Sequence, residues 1–153
     1  GIAASPDQTD GDLPSTVAAT TAAALTAWRL GAGERYREAV VSAVRDHAAR
    51  AVEQPFAHGS LLRAAAGLVD PPRQLVVVTA DPRGPLAAVA LQADADIVAV
   101  VTPAQARTFA DAGFELFAGK GEVSTEGEGL AYDCRAFVCR LPVDDPRSLS
   151  LER

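Results

Sequence analysis

The chain has 153 residues, 48% of them hydrophobic and 22% charged, with aromatics at only 5%. Those proportions exclude a disordered polymer and leave Ala, Val and Leu to fill the core of one domain or two small units. A formal net charge of −6 and a sequence pI near 4.8 argue against a nonspecific grip on nucleic acid or an acidic membrane surface.

Residues 1–14 carry Asp7, Asp10, Asp12 and two prolines, and read as a flexible N-terminal segment. The chain opens on Gly1 and contains no methionine, so it is expected to be a trimmed piece of a longer translation product. Ser15 is placed to cap a first helix, in which Val17, Thr21, Ala24, Leu25 and Trp28 recur at helical spacing until Gly31 and Gly33. A second helix starts near Glu34, with Tyr36, Ala39, Val40, Ala43, Val44, His47, Ala48 and Ala51 on one stripe. The short glycine link predicts an antiparallel helical hairpin. Pro55 breaks the second helix, and a third carries Leu61, Leu62, Ala65, Leu68 and Val69.

Past Pro72 the period changes. Residues 75–79 and 97–101 are continuous β-branched runs, which predict strands buried on both faces. Leu86 to Gln92 suits a short helix between them. Thr102 and Pro103 supply the cap and first position of another, ending at Gly113. This βαβ pattern predicts parallel strands. Residues 119–129 form a Gly/Glu-rich loop, Leu130 to Cys134 a third strand, and Pro142 to Pro146 lead into a short C-terminal helix.

Several of these segments together resemble one family. Asp10-Gly11-Asp12-Leu13-Pro14-Ser15 is similar to a D-G-x-x-P-S helix start, and Glu34 to Ala39 to an x-x-Y-x-x-x-A start of the next helix. Ala131 to Val143 resembles the tail A-Y-V-C-x-x-F-x-C-x-x-P-V, with Asp133 in place of the apolar residue before the first cysteine. These patterns resemble the C-terminal end of thioredoxin-domain-containing proteins related to spermatogenesis-associated protein 20. The resemblance implies helices that finish an α/α toroid, of the kind found in N-acylglucosamine 2-epimerases and six-hairpin glycosidases, followed by a small α/β segment. The thioredoxin-like domain and most of the toroid have no counterpart in these residues, so their chemistry does not carry over.

The candidate chemistry is sparse. Cys134 and Cys139 are thiols of possible redox interest, but their spacing is not C-x-x-C and no second pair or nearby His completes a zinc site. On one unbroken strand their odd separation would point them to opposite faces, so buried structural thiols are expected and a disulfide would need a bend. His47 lies on an apolar stripe and reads as a packed imidazole. His58 and Ser60 could be drawn into a triad with Asp70 or Asp46, yet no G-x-S-x-G elbow is present. Gly119-Lys120-Gly121 lacks the rest of a phosphate loop and reads as a solvated loop. Glu34, Glu38, Asp46 and Glu53 fall mostly off the apolar stripe and read as solvated helix surface rather than a glycosidase pair.

The expected fold is α+β: a helical hairpin and third helix over residues 15–70, packed with a small, mostly parallel, three-stranded βαβ sheet in residues 71–153. The expected role is a non-catalytic, cytoplasmic structural segment with no metal and no cofactor. It would self-associate through the helices at 15–52 or contact missing parts of a longer chain. The alternative is a small ligand-binding or enzymatic domain for sugar- or nucleotide-related molecules. It would use the carboxyl ends of the parallel strands, lined by Thr79, Asp81, Thr102 and Gln105.

Overall fold

The computed structural model describes residues 8–121 and 129–149. The fold is α+β and divides into two compact units: residues 8–28 with 33–70, and residues 29–32 with 71–121 and 129–149. Among these residues no helix is long and apolar enough to cross a membrane.

The first unit is helical. Helix α1 spans Thr16–Arg29, α2 Glu34–Glu53 and α3 Gly59–Ala66, with a 3₁₀ turn at Pro55–Ala57. Ser15 caps α1 as its sequence position predicts, its Oγ accepting from Ala18 N at 3.1 Å. The antiparallel sense of α1 and α2 is visible in the packing. Early Ala18 shares a cluster with late Ala51 and with Leu61, whereas late Leu25 and Trp28 share one with early Val40 and with Ala64. Over its 20 residues α2 fully buries only Val40 and Ala51. Asp10 precedes any helix, yet it is anchored. Its N–H donates to Ala57 O at 2.7 Å, and its two carboxylate oxygens accept from Ser15 N at 2.9 Å and Ser60 N at 2.7 Å.

The second unit is a sheet with helices on both faces. Strand β1 is Arg73–Val78, α4 Pro85–Ala90, β2 Ile97–Val101, α5 Pro103–Asp111, β3 Leu130–Arg135 and β4 Val138–Cys139. The 3₁₀ turns Glu115–Phe117 and Pro146–Ser148 follow α5 and β4. Strand order is β2-β1-β3-β4: β1 pairs parallel with β2, β3 antiparallel with β1, and β4 antiparallel with β3. The sheet is therefore mixed and four-stranded rather than three-stranded and mostly parallel. An apolar run gives a strand but not its direction, and β4 has only two residues, too few for a periodic signal.

Alternation along the central strand builds two cores. Val76 and Val78 pack with Val101, Ala106, Leu116 and Phe117 on one face; Leu75 and Val77 pack with Leu86, Ala90 and Leu149 on the other. The run at 97–101 differs from the expectation of a fully buried strand. It lies at the sheet edge, and only Val101 is fully buried. Residues 29–32 complete this unit from the end of α1: Leu30 O and Gly31 O accept from Leu116 N and Glu115 N at 3.3 and 3.1 Å.

Candidate functional site

Open parallel sheets bind ligands beyond the carboxyl ends of their strands, and Thr79, Asp81, Thr102 and Gln105 all fall at that end of β1 and β2. Thr79 is buried; its N–H donates to Val101 O at 2.9 Å and its Oγ1 accepts from Asp81 N at 3.0 Å. Asp81 Oδ1 accepts from Arg83 N at 3.0 Å. Thr102 and Gln105 form a capping box on α5. Thr102 Oγ1 accepts from Gln105 N at 3.2 Å, and Gln105 Oε1 accepts from Thr102 N at 2.8 Å. Gly129 closes over the same place: a Cβ there would stand 2.6 Å from Val78 O and 2.7 Å from Thr79 Cβ. All four side chains are thus engaged with nearby backbone, which is how they hold the turn and the helix start.

Each histidine bonds through Nδ1 to a backbone carbonyl four residues earlier. His47 Nδ1 donates to Ala43 O at 2.9 Å within α2. His58 is 2% exposed; its Nδ1 donates to Gln54 O at 3.0 Å, and its Nε2 has no partner. Ser60 lies in the first turn of α3, where its N–H donates to Asp10 Oδ2 at 2.7 Å. The carboxyl pKa of Asp10 is held below the ordinary value of 3.8 by the two backbone N–H groups. Glu34, Glu38, Asp46 and Glu53 are exposed. Among the described residues no group of three or more His, Cys, Asp and Glu side chains could hold a metal ion.

Three residues differ from their sequence reading. Lys120 is not solvated: it is 8% exposed, its ammonium lies 5.5 Å from the centre of the Tyr132 ring, and burial lowers its pKa from 10.5. The long aliphatic stem makes that burial possible, and no feature of the Gly-Lys-Gly triplet signals it. Cys134 and Cys139 are joined by a disulfide, not present as free thiols. Two residues, Ala136 and Phe137, turn the chain with φ of 48° and 66°, so the cysteines face each other across β3 and β4 with Cα atoms 3.8 Å apart. The bend that a disulfide requires is therefore present. Asp133, the departure from the apolar tail pattern, is matched by Arg73 on the neighbouring strand at 3.3 Å, with Arg140 at 3.9 Å.

A cavity lies elsewhere in the second unit, at the sheet edge. It is apolar, holds about 330 Å³ and is lined by Leu30, Val98, Ala99, Val100, Val101, Phe109, Phe114 and Phe117. Phe109 stacks on Phe117 at 5.0 Å and meets Phe114 edge-on at 5.9 Å. Such a lining binds apolar groups and offers no side-chain acid, base or nucleophile. Nothing in the sequence singles out these phenylalanines, because residues 29–32, β2 and the turn after α5 meet only in the fold. Compared with protein-family models, curated proteins and solved structures, the chain finds no match.

Proposed function

We propose that this chain is a non-catalytic structural segment, the C-terminal part of a larger protein similar to the thioredoxin-domain-containing family. One observation carries the reading. The residues that share the family's patterns, or that stand where a ligand would be bound, are engaged in holding the fold. Asp10 links the starts of α1 and α3, Ser15 caps α1, Cys134 and Cys139 staple a hairpin, and Thr102 with Gln105 caps α5. In that role the helical unit finishes a toroid. Thermal-shift screening against nucleotides, sugar phosphates and thiol compounds tests it. A ligand at about 100 Kd adds about 2.7 kcal/mol of stability, so uniform silence is expected. A shift abolished by Thr79→Val or Gln105→Ala returns the function to the carboxyl ends of the strands.

Self-association through the helices at 15–52, or contact there with other parts of a longer chain, belongs to the same proposal. It is supported by the sparse burial along α2 and by Val52 and Phe56, which are 74% and 101% exposed at its end. Light scattering across a concentration series is expected to give a rising mass. A constant monomer mass removes self-association and leaves contact with a longer chain. A cytoplasmic location, in turn, requires the cysteine pair to survive or cycle in a reducing compartment. Alkylation of thiols during cell lysis, read by mass spectrometry, reports its state there.

A further inference from the structure

We infer that the outer edge of β2 is a docking site for an extended, apolar strand of another polypeptide that carries basic residues. The inference concerns the α/β unit alone and goes beyond the structural role proposed above.

Main-chain direction comes first. In a parallel ladder a residue turns its N–H and C=O together toward one neighbour, and successive residues alternate. Val101 O accepts from Thr79 N, so Ile97, Ala99 and Val101 face β1, and Val98 and Val100 turn both polar groups outward. β2 ends the sheet, and among the described residues those outward groups of Val98 and Val100 have no protein partner. Their neighbour Thr102 is already satisfied, because its outward N–H is taken by Gln105. What remains is two donors and two acceptors at strand spacing, the pattern that a peptide backbone completes.

The cavity supplies the second half of the argument. It is lined by four consecutive residues of β2, whose side chains alternate between the two faces of the sheet. Leu30, Phe114 and Phe117 belong with the core on the α5 face, so the cavity lies against β2 on that face. A small apolar molecule would fill it but leave the polar groups of Val98 and Val100 unpaired. An extended peptide satisfies both, pairing its backbone with β2 and placing every second side chain against Leu30, Phe109 and Phe114.

Charge selects among such peptides. Asp94 and Asp96 lead into β2, and Asp111 and Glu115 flank the lining residues Phe109 and Phe114 in sequence. Asp96 is paired with Arg29 at 2.6 Å, while Asp94, Asp111 and Glu115 are exposed and have no ion pair among the described residues. Glu115 N donates to Gly31 O next to Arg29, which pairs with Asp96, so these carboxylates gather beside the start of β2. There they favour lysine or arginine on the incoming strand and disfavour an acidic one.

The test uses the full chain and a fluorescein-labelled peptide, Lys-Val-Thr-Val-Thr-Val-Lys, followed by fluorescence anisotropy. Saturable binding is expected. It should weaken at least tenfold when alternate peptide nitrogens are methylated, which removes their donors, and at least fivefold when glutamate replaces both lysines. Phe109→Asp, at a side chain 39% exposed, should weaken binding at least tenfold without unfolding the protein. Val100→Pro, which removes an outward donor, should do the same; circular dichroism reports whether each variant is folded. Backbone amides of Val98 and Val100 should gain hydrogen-exchange protection only when peptide is present. Absence of binding, equal binding of the methylated peptide, or an unaffected Phe109→Asp variant overturns the proposal. Protection of those amides that rises with protein concentration alone assigns the edge to a second copy and also overturns it, whatever the helices at 15–52 do.

Discussion

Asp10 shows how one short side chain can order a segment that has no regular structure. Its carboxylate accepts from the starts of two helices, at Ser15 N and Ser60 N, where main-chain donors lack intrahelical partners. Replacing it with alanine removes two capping bonds, and Asp10→Ala is expected to lower stability by about 1 to 2 kcal/mol in urea unfolding. The pH dependence has a definite sign. The folded carboxyl titrates below its ordinary value of 3.8, so the contribution is present above that value and is lost as pH falls through the lower folded one. The stability gap between the wild type and Asp10→Ala should accordingly narrow in acid and stay constant near neutrality. Lys120 acts with the same sign, but in the alkaline range. Its folded pKa lies below 10.5, so the unfolded chain holds more protons in that window and stability rises with pH. Lys120→Met lacks that rise. Urea midpoints at about pH 7 and pH 9.5 should therefore move in the wild type's favour, relative to Lys120→Met, at the higher pH.

At the scale of elements, the β3–β4 hairpin is where local preference and observed structure disagree most. A two-residue turn with positive φ at both positions favours Asn and Gly, yet Ala136 and Phe137 occupy it. The disulfide one pair back, Phe137 N donating to buried Gln74 Oε1 at 3.3 Å, and Ala136 N donating to Pro72 O at 2.9 Å hold the turn in place. Two outcomes are expected. The double substitution Ala136→Asn, Phe137→Gly relieves the left-handed strain and raises stability by about 1 kcal/mol or more. Cys139→Ser opens a six-residue loop and lowers stability by about 2 kcal/mol. Thermal unfolding of both variants and the wild type measures each. The same hairpin explains what was legible in the sequence and what was not. Long, capped, periodic elements could be read: α1 with Ser15, α2 on its stripe, and α5 with Thr102 and Pro103. The direction of β3, the turn at Ala136–Phe137 and the edge position of β2 could not, because each is decided by partners distant in sequence, such as Val76 opposite Tyr132.

For the whole molecule, the telling feature is that the α/β unit is not continuous in sequence. Its residues from Pro71 onward lack a piece that the end of α1 and the glycine link supply. Gln74, fully buried, donates through Nε2 to Arg29 O at 2.8 Å; Arg29 pairs with Asp96 at 2.6 Å; Leu30 packs beside Phe109 and Phe117 at the cavity. Gly31 has φ of 81° and sits so close that a Cβ would be 2.8 Å from Leu116 N, a position that only glycine fills without displacement. A polypeptide beginning at residue 71 would leave the Gln74 amide and the N–H groups of Glu115 and Leu116 without these acceptors. Each lost hydrogen bond is worth about 0.5 to 1.5 kcal/mol, and together they are a sizeable share of the stability of a small domain. Residues 71–153 alone are therefore expected to unfold at markedly lower urea than residues 29–153, which retain every one of these contacts. Gly31→Ala in the full chain should reproduce part of that loss. Equal midpoints for the two polypeptides would mean that residues 29–32 only rest on the sheet, and that the division of this chain lies at residue 70 after all.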